Sequence, residues 1–496
     1  MKIAIRNIVG DDKTEVSDLG DGFEIGFLES KRYYEVDKNG NFRGYKIVTK
    51  DLYAGDIEKD LNGNKLDGSE EHPYEINCIE DLVAFSIMTY QGDSNLNLKS
   101  QNFQGKYVIL TKTLDFKANS SYKDPTTMIY GDLNEDGVVD DIKTELTKQG
   151  EECGGFPGIG RKVFRGVFDG KRNYIKNLYQ NGKTKSVSFF FNLSNGVEIK
   201  KLSITGKIIG KSHAAGFIAL ESQRHDMKIS ECNNYADITG CNMVGGIVGY
   251  LRQKTIIENC KNYGTLYITK GYWGYSSIGG IAAGTEGAGS EIKGCVNYGD
   301  VSSAQSDISV AGIVGTVSNA KIGNCINKAN VKNGIVGTVS NGKSTILNCC
   351  NFGECSNGIL GSFSGRDWNW VMDLIIKNCY NIAKCSNSGI LGYQGPICKS
   401  STLKMYNCYN AGETPNAIIC KIEKPSNITI VTNISNTYYD TSKSASPGAT
   451  AEGIIALNED EIKNNEKFVD LLNSNIGEDS ELRKWKIGDD GYPTFE

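Results

Sequence analysis

The 496-residue chain is poor in several things at once: it has only 8 Pro, 3 His and 4 Trp. Scarce Pro beside 58 Gly argues against a disordered chain and for many turns inside regular structure. Neither sign of charge dominates, with 54 Lys+Arg against 59 Asp+Glu and a net charge of −5. That balance leaves no electrostatic footprint for nucleic acid. No apolar run reaches the roughly 18 residues of a membrane-spanning helix. The opening MKIAIRNIVGDDK is too polar and too short for the apolar part of a signal peptide. If the protein is exported, its targeting segment is expected to lie outside this chain, with Met1 a non-native start. His72, His213 and His225 are not spaced i, i+4, so the H-E-x-x-H pattern of zinc proteases is missing. The serine-nucleophile pattern G-x-S-x-G is absent as well.

What the chain does have is a repeat. NGIVGTVSN (333–341) follows AGIVGTVSN (311–319), with relatives GGIVGYL, GGIAAG, NGILG, SGILG and the weaker AGFIA. The central glycines Gly246, Gly280, Gly312, Gly334, Gly358 and Gly389 are 34, 32, 22, 24 and 31 residues apart. Between these copies runs a second element, aligned on Cys232, Cys260, Cys295, Cys325, Cys349, Cys379 and Cys408. Two residues after each Cys stands Asn: Asn234, Asn262, Asn297, Asn327, Asn351, Asn381 and Asn410. Gly or Ala occupies the fourth position after the Cys, and Ile or Met the third before it. Short apolar segments punctuated by Gly and Asn at this period read as coils of a β-solenoid. The residue just before the Cys is usually Asn, which tolerates the left-handed backbone of a sharp bend. The Cys column is expected to face inward. The Asn column is expected to hydrogen-bond from coil to coil at about 4.8 Å spacing, which satisfies amides that would be costly to bury alone.

On these motifs the sequence resembles the GLUG-motif proteins, right-handed parallel β-helix-like surface proteins of bacteria. The lead-in segments HPYEINCIEDLVAFS, FQGKYVILTKTLDF and FRGVFDGKRNYIKNLY and the ending KWKIGDDGYPTF extend the likeness over about residues 67–496. The resemblance implies an all-β, right-handed parallel β-solenoid (β-helix-like) with end caps, on the cell surface or secreted, adhesin-like. The motif also occurs in accessory regions of IgA-cleaving metalloproteases, whose zinc motif this chain lacks. The expected organisation is a small N-terminal β unit and linker (1–66), a lead-in and N-terminal cap (67–200), the repeat solenoid (201–420) and a C-terminal cap (421–496). The cap would close the far end, since open solenoid ends expose unpaired strand edges.

Candidate chemistry is sparse. GDLNEDGVVDD (131–141) matches the opening of a calcium loop, with oxygens from Asp132, Asn134, Asp136, Val138 and Asp140 converging on one hard cation. The twelfth position is Lys143 in place of Glu, so Glu145 or Asp141 would have to substitute. A solvated acidic turn is the competing reading; bound calcium would be structural. Two coil insertions carry aromatics, Tyr272, Trp273 and Tyr275 in one and Trp368 and Trp370 in the other. Loops on rigid scaffolds often carry binding function, and exposed aromatics suit sugars or proteins. Packing over apolar coil surface is the plainer alternative.

Hydrolysis of polysaccharides needs close carboxylates. Between 241 and 420 the acids are Glu258, Glu286, Glu291, Asp300, Asp307, Glu354, Asp367, Asp373 and Glu413, on no shared register of neighbouring coils. No catalytic residue is assigned. The expectation is a non-enzymatic, exported bacterial adhesin or interaction scaffold for a glycan or surface protein. The alternatives are a carbohydrate-active enzyme using acids around Asp115, Asp132, Asp136 or Asp169, and a pilin-associated surface subunit. In LNCCNFGEC (347–355), Cys349 belongs to the inward column and Cys355 replaces an aliphatic core residue, leaving Cys350 the partly exposed thiol. Stacked Cβ atoms about 4.8 Å apart exceed the roughly 3.5–4.5 Å a disulfide prefers. Most of the 15 Cys are therefore expected to be free.

Overall fold

The computed structural model describes residues 57–89, 99–116 and, apart from short breaks, 154–496, together with three short strands before them. The chain is nearly all β, its parallel strands stacked as a β-solenoid. It divides into two compact units, Met1–Cys241 and Asn242–Glu496.

In the first unit, strands Phe23–Ile25, Ser30–Val36 and Phe42–Val48 form a small antiparallel sheet. Parallel rungs then begin at Tyr74–Ile76 and continue through Tyr107–Leu110, Val167–Asp169, Val197–Lys200 and Met227–Ser230. The stack thus starts well before the first Cys-x-Asn copy, because alternating apolar residues suffice to build a rung. Helix Ile79–Met88 follows the first rung. The Asp81 carboxylate accepts the backbone N–H groups of Asn77 and Cys78 at 2.8 and 3.1 Å, which ties the first turn of the helix to the residues that lead into it. The helix inserts Phe85 among Phe103, Phe164 and Phe168, with ring centroids 4.9, 5.5 and 6.0 Å away. Cys232 and Asn234 are fully buried here, and the Asn234 amide bonds to Ala236 O at 3.0 Å.

In the second unit, one parallel sheet runs through Thr255–Glu258, Ser290–Lys293, Ala320–Gly323, Val336–Leu347, Val371–Lys377, Ser400–Asn410 and Thr429–Asp440. A second contains the G-I-x-G copies, in strands Val248–Leu251, Ala282–Thr285, Val314–Ser318, Val336–Leu347, Leu360–Phe363, Leu391–Gln394 and Ile419–Ile422. Asn259, Asn324, Asn348, Asn378 and Asn407 turn the chain ahead of the Cys column with φ between 50 and 56°, the left-handed region Asn enters most readily.

The two repeated elements meet inside each coil. The buried amides of Asn262, Asn297, Asn327, Asn351 and Asn381 each donate to the next Asn Oδ1 at 2.8–3.0 Å. Each also closes onto a carbonyl two residues on, as Asn327 does with Ala329 O at 2.8 Å. The central glycines press against this column from the bend just before the second sheet. A Cβ on Gly312 would lie 2.3 Å from Asn327 Oδ1 and 2.3 Å from Gly334 O. Gly280 meets Asn297, Gly334 meets Asn351, Gly358 meets Asn381 and Gly389 meets Asn410 in the same way. These glycines are there for close approach, because the coil is too narrow at that level for any side chain besides the amide. The small residue at the fourth position after the Cys has a similar cause: a Cβ on Gly353 would lie 1.8 Å from Ala329 O of the neighbouring coil.

After the last rungs the chain turns back along the side of the stack. Helix Glu459–Ile462 starts with a capping box between Asn458 and Glu461. Helix Glu466–Ser474 is capped by Asn465 and buries Phe468, Val469 and Leu472. Strands Trp485–Ile487 and Pro493–Phe495 pair antiparallel. These elements share one core cluster with Cys350, Tyr380, Tyr409 and Tyr438 of the coils. No described helix is long and apolar enough to cross a membrane.

Candidate functional site

The residues with most to offer a partner lie on the side of the second unit. Three residues after each ladder Cys the chain points outward, placing Tyr263, Tyr298 and Phe352 on the surface at 36–39% exposure. The Tyr263 and Tyr298 rings stack with centroids 4.7 Å apart and planes 1° from parallel. Lys328 stands between Tyr298 and Phe352 in the column, its Nζ 5.4 Å from the Tyr298 ring centroid, a cation–π distance. The column continues into Ile382 and Ala411, which belong to the cluster under the C-terminal segment.

That segment shows what the face can hold. Trp485 Nε1 donates to Asn378 Oδ1 at 2.7 Å, and its ring lies 5.6 and 5.7 Å from Tyr380 and Tyr409. The bend amides join in: Asn348 donates to Glu481 O at 2.8 Å, Asn378 to Arg483 O at 3.0 Å and Asn407 to Leu472 O at 3.0 Å. Beside them Lys377, almost buried, pairs with Asp479 at 2.6 Å and Glu481 at 3.3 Å, and Lys321 reaches Glu481. Hydrogen bonds from Lys377 and Lys321 hold the Asp479 and Glu481 carboxyls below their ordinary 3.8 and 4.5. A carboxyl depressed in the folded state stabilises it above its unfolded pKa, and that contribution is lost as pH falls through the folded value. Acidification below about pH 4 is therefore expected to loosen the segment, read as a red shift in emission from buried Trp485. Lys377→Met should flatten that response.

Cys350 corrects the sequence reading. It is 1% exposed, because the C-terminal segment, far away in sequence, covers the position that is open in earlier coils. Burial pushes its thiol up to about 12. Cys350 is expected to resist alkylation in the folded protein and to react once acid has loosened the segment and neutral pH is restored with denaturant; peptide mass mapping would read it. Cys355, read as core, is half-buried and the more open of the two. None of the described cysteines is in a disulfide. Column members Cys260, Cys295, Cys325, Cys349, Cys379 and Cys408 are fully buried. Cys325 and Cys349 point at carbonyls two residues before them, at 3.2 Å each. Burial pushes the Cys295, Cys325 and Cys349 thiols well above the ordinary range, and complete burial keeps reagents from reaching them, which together make them inert.

Of the aromatic loop residues, Trp370 is half-buried and its carbonyl accepts Lys399 N at 2.7 Å. Tyr272, Trp273, Tyr275 and Trp368 lie outside the described residues, as do Asp132, Asn134, Asp136, Val138 and Asp140 of the calcium-type loop and His225. Among acids named for the enzyme alternative, Asp169 pairs with Lys171 at 3.4 Å and Asp115 accepts Asn177 at 2.6 Å. Glu258 and Glu291 meet at a common Lys293, 3.6 and 3.3 Å away; among the described residues no group of three His, Cys, Asp or Glu could hold a metal ion. The outward Tyr–Tyr–Lys–Phe column was missed although its signal is visible in CKNYGTL and CVNYGDV: Tyr recurs beside the ladder Asn.

No protein-family profile matches the chain, and no curated protein matches it in sequence. Among solved structures, the chain is similar to one from Bacteroides ovatus described as a "putative immunoglobulin A1 protease". The identity is 16% and the TM-score 0.37, over 87% of this chain and 94% of that one.

Proposed function

We propose that the chain is an exported bacterial cell-surface scaffold without catalytic activity, binding a glycan or protein along the open part of its aromatic face. One observation carries this reading. The same face, a few coils on, already holds polypeptide: the chain's own C-terminal segment, through Trp485, Tyr380, Tyr409 and the bend amides. In the open coils the places in register with Tyr380 and Tyr409 are Lys261, Val296 and Ile326, and aromatic surface is supplied two residues further on by Tyr263 and Tyr298, on a stack whose spacing is fixed by the Asn column. The surface location rests on the resemblance to GLUG-motif proteins. A calcium ion at Asp132, Asn134, Asp136, Val138 and Asp140 would be a structural accessory of the first unit.

The test is binding of the full chain to a glycan array and a panel of purified host glycoproteins, beside Tyr263→Ala/Tyr298→Ala. Hits that weaken tenfold or more in the variant support the reading, since stacked aromatics dominate such interfaces. Hits that the variant leaves unchanged count against this face. Release of sugar fragments from a bound glycan would favour the carbohydrate-active enzyme instead.

A further inference from the structure

Two thiols in the second unit behave unlike the others. Cys355 and Cys385 stand opposite one another in a parallel pair of short strands, Cys355–Asn357 and Cys385–Ser388. Their sulfurs are 3.1 Å apart, closer than unbonded sulfurs normally rest. The inward Cys column keeps its sulfurs on backbone carbonyls, as Cys379 does with Lys377 O at 3.3 Å. Cys385 Sγ does the same with Ala383 O at 3.5 Å, yet it also meets Cys355 Sγ across the coils. The Asn351 and Asn381 amides stand beside the pair, 3.4 Å from Cys355 Sγ and Cys385 Sγ. The general objection to bridging stacked cysteines concerns Cβ atoms held at the coil spacing. A spacing of about 4.8 Å between neighbouring backbones still falls within the Cα range of real disulfides, about 4.4–6.8 Å. The pair is also isolated, with Val331 and Thr414 filling the corresponding places in the coils on either side. Cys355 is half-buried and Cys385 is 2% exposed, so only one of the two can be approached from solvent.

We propose that Cys355 and Cys385 form an oxidation site at which a small-molecule disulfide closes a covalent bond between neighbouring coils. The Cys355 thiol loses its proton and its sulfur attacks one sulfur of the oxidant R–S–S–R. That S–S bond breaks, a mixed disulfide forms on Cys355, and RS⁻ leaves and takes up a proton. Cys385 Sγ, deprotonated in turn, attacks Cys355 Sγ from the buried side. The mixed S–S bond breaks, the Cys355–Cys385 bond forms and the second RSH leaves. Two protein thiols are oxidised and one disulfide is reduced to two thiols. Because the attacking species is the thiolate, and the Cys385 thiol and burial hold the Cys355 thiol well up, closure is slow near neutrality and faster as pH rises.

The experiment treats the full chain with oxidised glutathione at about pH 8, near the free thiol pKa, then maps peptides without reduction. The expected result is a linked peptide pair containing Cys355 and Cys385, with two thiols fewer in a denatured titration and full recovery on reduction. Cys350→Ser should still form the link. Cys355→Val, which copies Val331 of the preceding coil and keeps the column apolar, should lose both the link and the missing thiols. A glutathione adduct that stays on Cys355 without a link would overturn the proposal. So would a first link between members of the inward column, or a thiol count unchanged by the oxidant.

Discussion

Gly312→Ala is expected to destabilise the protein by about 3 kcal/mol or more, at the upper end of what overpacking costs. The methyl group would need the space of two groups that cannot leave it. Asn327 Oδ1 lies 2.3 Å from its position and Gly334 O, a backbone atom of the next coil, also 2.3 Å. The amide is held by Asn297 Nδ2 at 3.0 Å and by its own bonds to Asn351 Oδ1 and Ala329 O, both at 2.8 Å. A rotation that cleared the methyl would break that set. The comparison is Gly289→Ala at an exposed turn with φ of 82°, which carries the ordinary left-handed penalty of about 1–2 kcal/mol. Urea denaturation of both variants checks the order. A Gly312→Ala protein as stable as Gly289→Ala would show that the coil can widen at this level.

Asn327→Asp is nearly isosteric, yet is expected to cost about 3–5 kcal/mol at neutral pH, as an unpaired buried charge does. The carboxylate can still accept from Asn297. It cannot donate to Asn351 Oδ1 or Ala329 O, so two attractive contacts become acceptor against acceptor. Burial and those oxygens disfavour the ionised form and raise the folded pKa above the unfolded value of about 3.9. A group raised in this way destabilises the fold above its folded pKa and is relieved as pH falls through it. The gap between variant and wild type should therefore narrow as pH is lowered from about 7 toward 5. Melting curves at several pH values read this. A gap that stays constant would mean that the donor function of Asn327 is not what matters.

How much of this could be read from the sequence depended on the range of the interactions. The solenoid was legible because each coil states its own pattern: Ile, a bend residue, Cys, Asn, then Gly or Ala. These contacts are made within one coil or with the next, so a short window contains them. The Gly and Asn columns could each be aligned, but the reason for the glycines could not be seen, since Gly312 meets Asn327 across the coil. Cys350 was misread for a related cause. Its cover comes from Trp485 and its neighbours, more than a hundred residues away, and nothing in LNCCNFGEC reports them. The lateral aromatic column is hard to see in the sequence because Tyr263 and Tyr298 sit inside the repeat itself, where their outward direction depends on the register of each coil. The Cys355–Cys385 pair depends on side-chain tilt, which a register alone does not specify.

The glycine and asparagine columns are one device, the absence of one side chain making room for the other. A double-mutant cycle on Gly312→Ala and Asn327→Ala, measured by urea denaturation, tests it most directly. If the claim holds, the double variant loses less stability than the sum of the single losses by about 1 kcal/mol or more. Truncating Asn327 vacates much of the space the new methyl must enter, while the contact with Gly334 O keeps the relief incomplete. Losses that add to within about 0.5 kcal/mol would contradict it and make the two columns independent.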